Sequence, residues 1–410
     1  MQSTRAEPKE KGNGGKTSPF LGSGSTRAER IIEIFALLVA IGFALSIVNQ
    51  GLFERADFFL PTYDNSMLHA GRARFVMDTG FYPSLELVFG GVTPTYHVPA
   101  YPSLVAAFGE LSGLSWFWSI RVIALLFAVL LPLAAYCLAK RASGGNAFAG
   151  AAAAFMILLT AGVSTWGMRT TPISLGVITV LALLWLVLER NWLLVVFGGV
   201  MLALTHQPSL LAFFGTMCVF FIASNAGAAW AFLRKSGSWT KREAGEFLKS
   251  LDWLPFVGGA AALLPYLAWH ISKTGLTCLT LKCLPQGNSH EFGESVNLVD
   301  YFKPFKDAAD NVSGGVQTFF VNVPQFLGLI GVLWVAFDKR VDGRAKLLLY
   351  SWLLWTLLLV KNDVFGIGVF TQRFLTFFDE SVAIFAGVFV GGLLVLVCSV
   401  LEKRFSSNTA

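Results

Sequence analysis

Tyr63-Asp64-Asn65-Ser66-Met67-Leu68-His69-Ala70-Gly71-Arg72, continuing to Gly80-Phe81-Tyr82-Pro83, is a polar stretch in an otherwise greasy chain. It puts a carboxylate, an imidazole and a guanidinium close together in a long connection between two apolar blocks. Long ordered connections usually carry function. Asp64 or Asn65 is placed to cap a helix that runs to about Thr79 and stops at Gly80, with Pro83 just beyond. On that helix Asn65, His69, Arg72 and Val76 share one face, and Asp64 stands at its entrance.

On both sides of this stretch the chain reads as membrane protein. Of its 410 residues 55% are apolar and 14% charged. That balance is too apolar for a soluble protein of this length. The apolar residues come in blocks of about 15–23, the length that crosses ~30 Å of hydrocarbon. Ten spans are predicted, at 31–49, 116–139, 146–163, 172–188, 191–205, 209–224, 253–271, 324–337, 346–360 and 379–401. An eleventh block, 99–113, carries Pro99, Pro102 and Glu110, and it reads as a helix on the outer surface. The expected fold class is an all-α polytopic membrane protein of about ten transmembrane helices, with juxtamembrane helices in its first outer loop.

Charge supports that count. With the N-terminus inside and 99–113 left out of the membrane, 20 of the 31 basic residues fall inside and ten outside, with Arg121 in a span. Short cytoplasmic loops are enriched in this way. The predicted organisation is a disordered cytoplasmic tail (1–30), a transmembrane domain (31–401) and a short cytoplasmic tail (402–410). Within the domain lie the first outer loop (50–115), a cytoplasmic amphipathic loop (225–252) and a second large outer loop (272–323). In the cytoplasmic loop Thr240-Lys241-Arg242-Glu243 reads as a capping box. Ala244, Phe247, Leu248 and Leu251 follow at helical spacing, as in an interfacial helix. The net charge of +6 follows from topology and the anionic inner leaflet; the partners it implies are membrane lipids, with no nucleic acid. Cys278 and Cys283 share the second outer loop, where a disulfide and two free thiols both fit.

Ionisable residues inside the spans are few: Glu33, Arg121, His206 and His270. Each lies near a span end, within snorkelling reach. Transporters and proton pumps need charged groups at the midplane. Here the polar groups converge on the outer face instead, as Asp57, Asp64, His69, Arg72, Tyr96, His97, Arg169, His206, Lys361, Asp363 and Arg373.

The arrangement resembles the GT-C superfamily, membrane glycosyltransferases that use polyprenyl-phosphate-linked sugars. One span is followed by a long outer loop with an early acidic residue (Tyr63-Asp64-Asn65), a helix bearing His and Arg, and a Gly80-to-Pro83 end. A Tyr/Pro-rich stretch, Pro94-Thr95-Tyr96-His97-Val98-Pro99-Ala100-Tyr101-Pro102, leads to the surface helix. Later come Thr205-His206-Gln207-Pro208 at an outer span end and Arg373-Phe374-Leu375 before the last span. The likeness covers most of 31–401. It implies that Asp64, at the position of the family's early acidic residue, is catalytic. The chain departs from family patterns as well. Asp64-Asn65-Ser66 interrupts the usual acidic pair, so no metal ligand is assigned; no cofactor is certain, and a divalent metal stays open without an intact acidic pair to support it. Only nine residues follow the last predicted span, without the soluble domain and Trp-Trp-Asp motif of oligosaccharyltransferase catalytic subunits or the added outer domains of protein mannosyltransferases. Neither assignment is made.

The residue types suit such chemistry. Transfer from a lipid phosphate needs a base for the acceptor hydroxyl, which a positioned carboxylate supplies. The leaving phosphate needs cations, Arg above all. The catalytic candidates are therefore Asp64 and His69. The substrate-binding candidates are Arg72, Tyr96, His97, Arg169, His206 and Arg373. Asp64 also fits a plain N-cap, and Arg373 an interfacial anchor. Two other functions stay open: a transporter or flippase for a lipid-linked or polar solute, and a non-enzymatic subunit of a membrane complex.

Overall fold

The structure is a computed structural model, and it describes residues 27–52, 64–85, 98–160, 162, 163, 167, 170–234, 241–274 and 323–407. The tail 1–26, most of the second outer loop with Cys278 and Cys283, and the candidates Tyr96, His97 and Arg169 lie outside the described residues, as does the side chain of Asp64. The described chain forms α1 (Arg27–Leu52), α2 (Asp64–Thr79), α3 (Ala100–Ser112), α4 (Trp116–Ala142), α5 (Ala147–Leu158), α6 (Pro172–Leu188) and α7 (Trp192–Ala203). It continues as α8 (Gln207–Arg234), α9 (Lys241–Ser250), α10 (Leu254–Thr274), α11 (Val323–Phe337), α12 (Gly343–Val360) and α13 (Thr371–Ser407).

The chain is an all-α multi-pass membrane protein. Among the described residues six helices (α1, α4, α8, α10, α12 and α13) are long and apolar enough to cross a membrane, while α5, α6, α7 and α11 are shorter apolar helices. Each matches one of the ten predicted spans. Side chains define several starts. The Asn146 carboxamide oxygen accepts from Phe148 N and Ala149 N at the head of α5, and Asp342 Oδ1 accepts from Ala345 N at the head of α12. Both are N-caps that satisfy amides a helix leaves open.

The centre of the bundle is α13, clasped by α5 and α11. Glycines allow the close approach. A Cβ on Gly387 would lie 2.6 Å from Ala153 Cα, and one on Gly391 would lie 2.2 Å from Ala149 N. On the opposite side of α13, Gly328 and Gly331 of α11 lie against the backbone of Val382 and Phe385. Small residues that bring backbones together drive association where lipid removes the hydrophobic incentive.

In the first connection α2 packs on α3, and both pack on α4. Neither is a candidate span, so the block at 99–113 is the short helix α3. Gly80, at φ 74°, ends α2 with its N–H on Val76 O. In the 225–252 loop α9 forms as anticipated, with Phe247 stacked on Phe232 at 4.4 Å.

Two expectations need correction. Arg373, placed before the last span, lies in the first turn of α13, because Phe374, Phe377 and Phe378 carry the buried apolar stripe outward past Asp379. Glu33 does not snorkel. It is 8% exposed and accepts a bond at 2.5 Å from Lys140 Nζ, which also reaches Tyr136 Oη at 2.7 Å. A charge can stay out of water when it is paired.

Candidate functional site

The end of the bundle predicted to face outward, called outer below, gathers two polar networks. The first is built on α2. The helix opens at Asp64, and one and two turns later presents His69 and Arg72, which are 4% and 1% exposed. Arg72 Nη1 lies 3.4 Å from His69 Nδ1. The edge of the His69 ring meets Tyr101 of α3 at 5.8 Å, and Tyr101 in turn touches Phe127 of α4. Burial pushes the Tyr101 phenol above its ordinary range. The tight fit has a cause at Gly109, where a Cβ would meet Met77 of α2 and Ser119 of α4. Arg74, one of the polar residues on α2, instead faces outward and pairs with Asp78 at 3.5 Å.

This corner is tied to the rest of the outer end. Ala100 N donates to Leu204 O at 2.8 Å, joining α3 to the turn that carries His206. His206 Nδ1 lies 2.7 Å from Ser209 Oγ and 3.4 Å from Ser209 N, so the imidazole caps α8. The next residue, Gln207, places Nε2 2.7 Å from His270 Nε2 of α10. Tyr82, just past α2, meets Trp269 edge-on at 6.0 Å. His270 thus belongs to an outer network linking α8 and α10.

The second network surrounds the start of α13. The Asn362 carboxamide donates to Leu359 O and Val369 O and accepts from Val369 N, stapling the turn before α13. Phe370, at φ 54°, then delivers the chain into the helix. The Arg373 guanidinium lies 5.1 Å over the Phe370 ring, a cation–π contact. Two turns deeper are Asp379 and Glu380, both 0% exposed. Asp379 Oδ2 accepts from Gly162 N at 2.6 Å, and Thr376 Oγ1 donates to Gly162 O at 3.3 Å. Neither Glu380 carboxyl oxygen has a hydrogen-bond partner among the described residues.

The structure therefore brings His69 and Arg72 together, joins the His206 turn to α3, and sets Arg373 over Phe370 at the start of α13, nearly two turns before Asp379. Sequence reasoning missed Asp379, Glu380, Thr376 and Tyr101. The predicted span 379–401 contains Asp379 and Glu380, yet the ionisable residues counted inside the spans left both out. A signal for Thr376 and Glu380 is their i+3 and i+7 spacing from Arg373, which puts all three on one face of α13. Among the described residues no three His, Cys, Asp or Glu side chains group to hold a metal ion.

The family of unknown function DUF6541 matches residues 5–376, nearly the whole chain. The chain belongs to that family. Solved structures similar to this DUF6541 protein include the Archaeoglobus fulgidus oligosaccharyltransferase in its apo form, with a TM-score of 0.56 at 13% identity over 94% of this chain and 53% of that one. Another is the oligosaccharyltransferase AglB from the same organism in complex with an inhibitory peptide and a dolichol-phosphate, with a TM-score of 0.57 at 13% identity over 94% of this chain and 52% of that one. The DUF6541 chain spans about half the length of these proteins. At this identity the likeness is one of fold alone. No curated protein matches the chain by sequence.

Proposed function

We propose that this protein is a membrane glycosyltransferase that moves a sugar from a polyprenyl-phosphate donor to a lipid-linked glycan, polymer or protein acceptor. The setting is a cell-envelope membrane, with both termini cytoplasmic and the reaction on the outer face. The observation that carries the reading is an oligosaccharyltransferase-like fold whose first outer connection opens a helix with Asp64.

In this reading the Asp64 carboxylate takes the proton of the acceptor hydroxyl. The acceptor oxygen forms its bond to the anomeric carbon as the bond from that carbon to the donor phosphate oxygen breaks. One carboxylate acting alone, with no covalent sugar intermediate, inverts the anomeric centre. The electron pair leaves on the phosphate, which is stable as an anion and needs cations rather than a general acid. Arg373, Arg169 and His206 would hold it, while the prenyl tail stays in lipid. His69, further along α2, would act with Asp64 as the second catalytic group, and Arg72, Tyr96 and His97 would contact the substrate.

Asp64→Asn tests the reading, because Asn caps a helix about as well as Asp. Transfer of labelled sugar from a short-chain polyprenyl-phosphate donor should fall on the order of 10²-fold with expression unchanged. Near-normal turnover would leave Asp64 as a cap. A second reading, a transporter, draws support from Asp379 and Glu380, buried carboxyls inside a candidate span. Counterflow of a lipid-linked or polar solute in liposomes, without sugar transfer, would favour it.

A further inference from the structure

The contact between Gly162 and α13 joins two parts of the chain more than 200 residues apart. Both polar groups of Gly162 are taken by side chains one turn apart on one helix. The N–H goes to Asp379 Oδ2 at 2.6 Å and the carbonyl accepts from Thr376 Oγ1 at 3.3 Å. Both side chains are 0% exposed. No side chain fits at residue 162, since a Cβ there would lie 2.7 Å from Asp379 Oδ2 and 2.8 Å from Thr376 Cα. A short hydrogen bond from an amide to a carboxylate is among the stronger contacts available to a buried peptide group.

The position of this bolt matters more than its strength. Below it, Gly391 against Ala149 and Gly387 against Ala153 bring α13 and α5 into backbone contact. Asp379 with Gly162 is the next step of the same antiparallel zipper. Past Leu158 the α-helix has ended, so side-chain bonds replace helix packing. Thr376 lies one turn from Arg373 and on the same face of α13. The bolt therefore fixes the outermost turns of α13 just where Arg373 leaves the bundle.

We propose that Asp379 is a positioning residue for the leaving phosphate: by holding Gly162 it sets the direction in which α13 presents Arg373. This rests on the reading of Arg373 as a phosphate ligand. A carboxylate that merely stabilised the bundle would alter the unfolding temperature and leave the affinity of folded protein for phosphate unchanged.

The test measures binding of a short-chain polyprenyl phosphate to folded, purified full-length chain. Asp379→Ala should weaken binding about tenfold or more, as displacement of a positioned group does. Asp379→Asn keeps an oxygen acceptor for Gly162 N–H and should recover most of the loss. Thr376→Val removes only the second link and should cost about threefold, which keeps the test alive should Asp379→Ala fail to fold. Arg373→Ala combined with Asp379→Ala should bind no worse than Arg373→Ala alone, since coupled residues are not additive. A second measurement needs no ligand. Spin labels at Gln372→Cys and Ser84→Cys should show a broader distance distribution in Asp379→Ala than in the parent. Unchanged binding in Asp379→Ala, or an unchanged distance distribution, overturns the proposal. Absence of binding by the parent protein overturns the polyprenyl-phosphate reading itself, a result distinct from any effect of the variants.

Discussion

The pair formed by Glu33 and Lys140 makes a sharp prediction about how the first helix is held. Helix α1 is lightly packed: only 22% of its apolar window is buried inside the protein. Yet Glu33 and Lys140 are 8% and 5% exposed and in contact at 2.5 Å. Removing one partner strands a buried charge, which costs ~3–5 kcal/mol. Glu33→Gln belongs at the low end, because Tyr136 Oη still accepts from Lys140 Nζ and the Tyr136 ring lies 5.1 Å away. Lys140→Met belongs at the high end, since it removes the donor to Glu33. The double variant leaves no charge to strand and should fall within ~1–2 kcal/mol of the parent, as neutral replacements of buried pairs often do. The assay is reversible unfolding in mixed micelles followed by helical signal, with the coupling read from the four-protein cycle. Single losses below ~1 kcal/mol, or a double variant equal to the sum of the singles, would show that water reaches the pair and that α1 is held some other way.

Other expectations follow from particular contacts. Cysteine introduced at Ser84 should label with an impermeant reagent from outside, and cysteine at Asp342 should not; both positions are exposed, so the reverse pattern would invert the topology. Gly391→Val forces a side chain onto the backbone of α5 and should lower stability by ~1–3 kcal/mol, measured in the same unfolding assay. Asp338 is partly desolvated, but its bonds from Arg340 and Trp334 outweigh this and hold its carboxyl below the ordinary range. A lowered folded value means that the contribution is complete above the ordinary Asp value of 3.8 and is lost as pH falls through the lowered one. Asp338→Asn should flatten stability over that acid window and leave neutral pH with a loss on the order of 1 kcal/mol, Arg340 being partly exposed. Arg373→Ala should weaken polyprenyl-phosphate binding by roughly 10- to 150-fold, and Arg373→Lys should restore only part of it, for lack of the planar fork; a silent Lys variant would mark a lipid anchor.

Much of this architecture was legible because membrane solvation is severe. Runs such as Trp116–Ala139 and Leu348–Val360 have no soluble explanation, and Gly80 with Pro83 announced the end of α2. The apolar block at 99–113 was separable from the spans by Pro99, Pro102 and the basic-residue asymmetry. Side-chain pairing was another matter. Glu33 and Lys140 stand 107 positions apart, and nothing local to either names the other. Asp379 stood unremarked at the first position of the predicted last span. Its partner is the backbone amide of Gly162, which has no side chain to signal the contact. The burial of His69 and Arg72 depended on Tyr101 and Gly109 of α3, whose docking angle no periodicity specifies.

Helix α7 has a further consequence for the surrounding lipid. Its twelve residues rise only ~18 Å, against a hydrocarbon thickness of ~30 Å. It is no shielded core element, because Leu193 is 80% and Phe197 65% exposed. Acyl chains beside it meet an apolar belt too short for them, so the leaflets must pucker inward at an elastic cost of fractions of a kcal/mol per Å. One lip of that dimple lies at the Leu204–Gln207 turn. The shortness of α7 thus bears on the lipid around it as well as on the bundle.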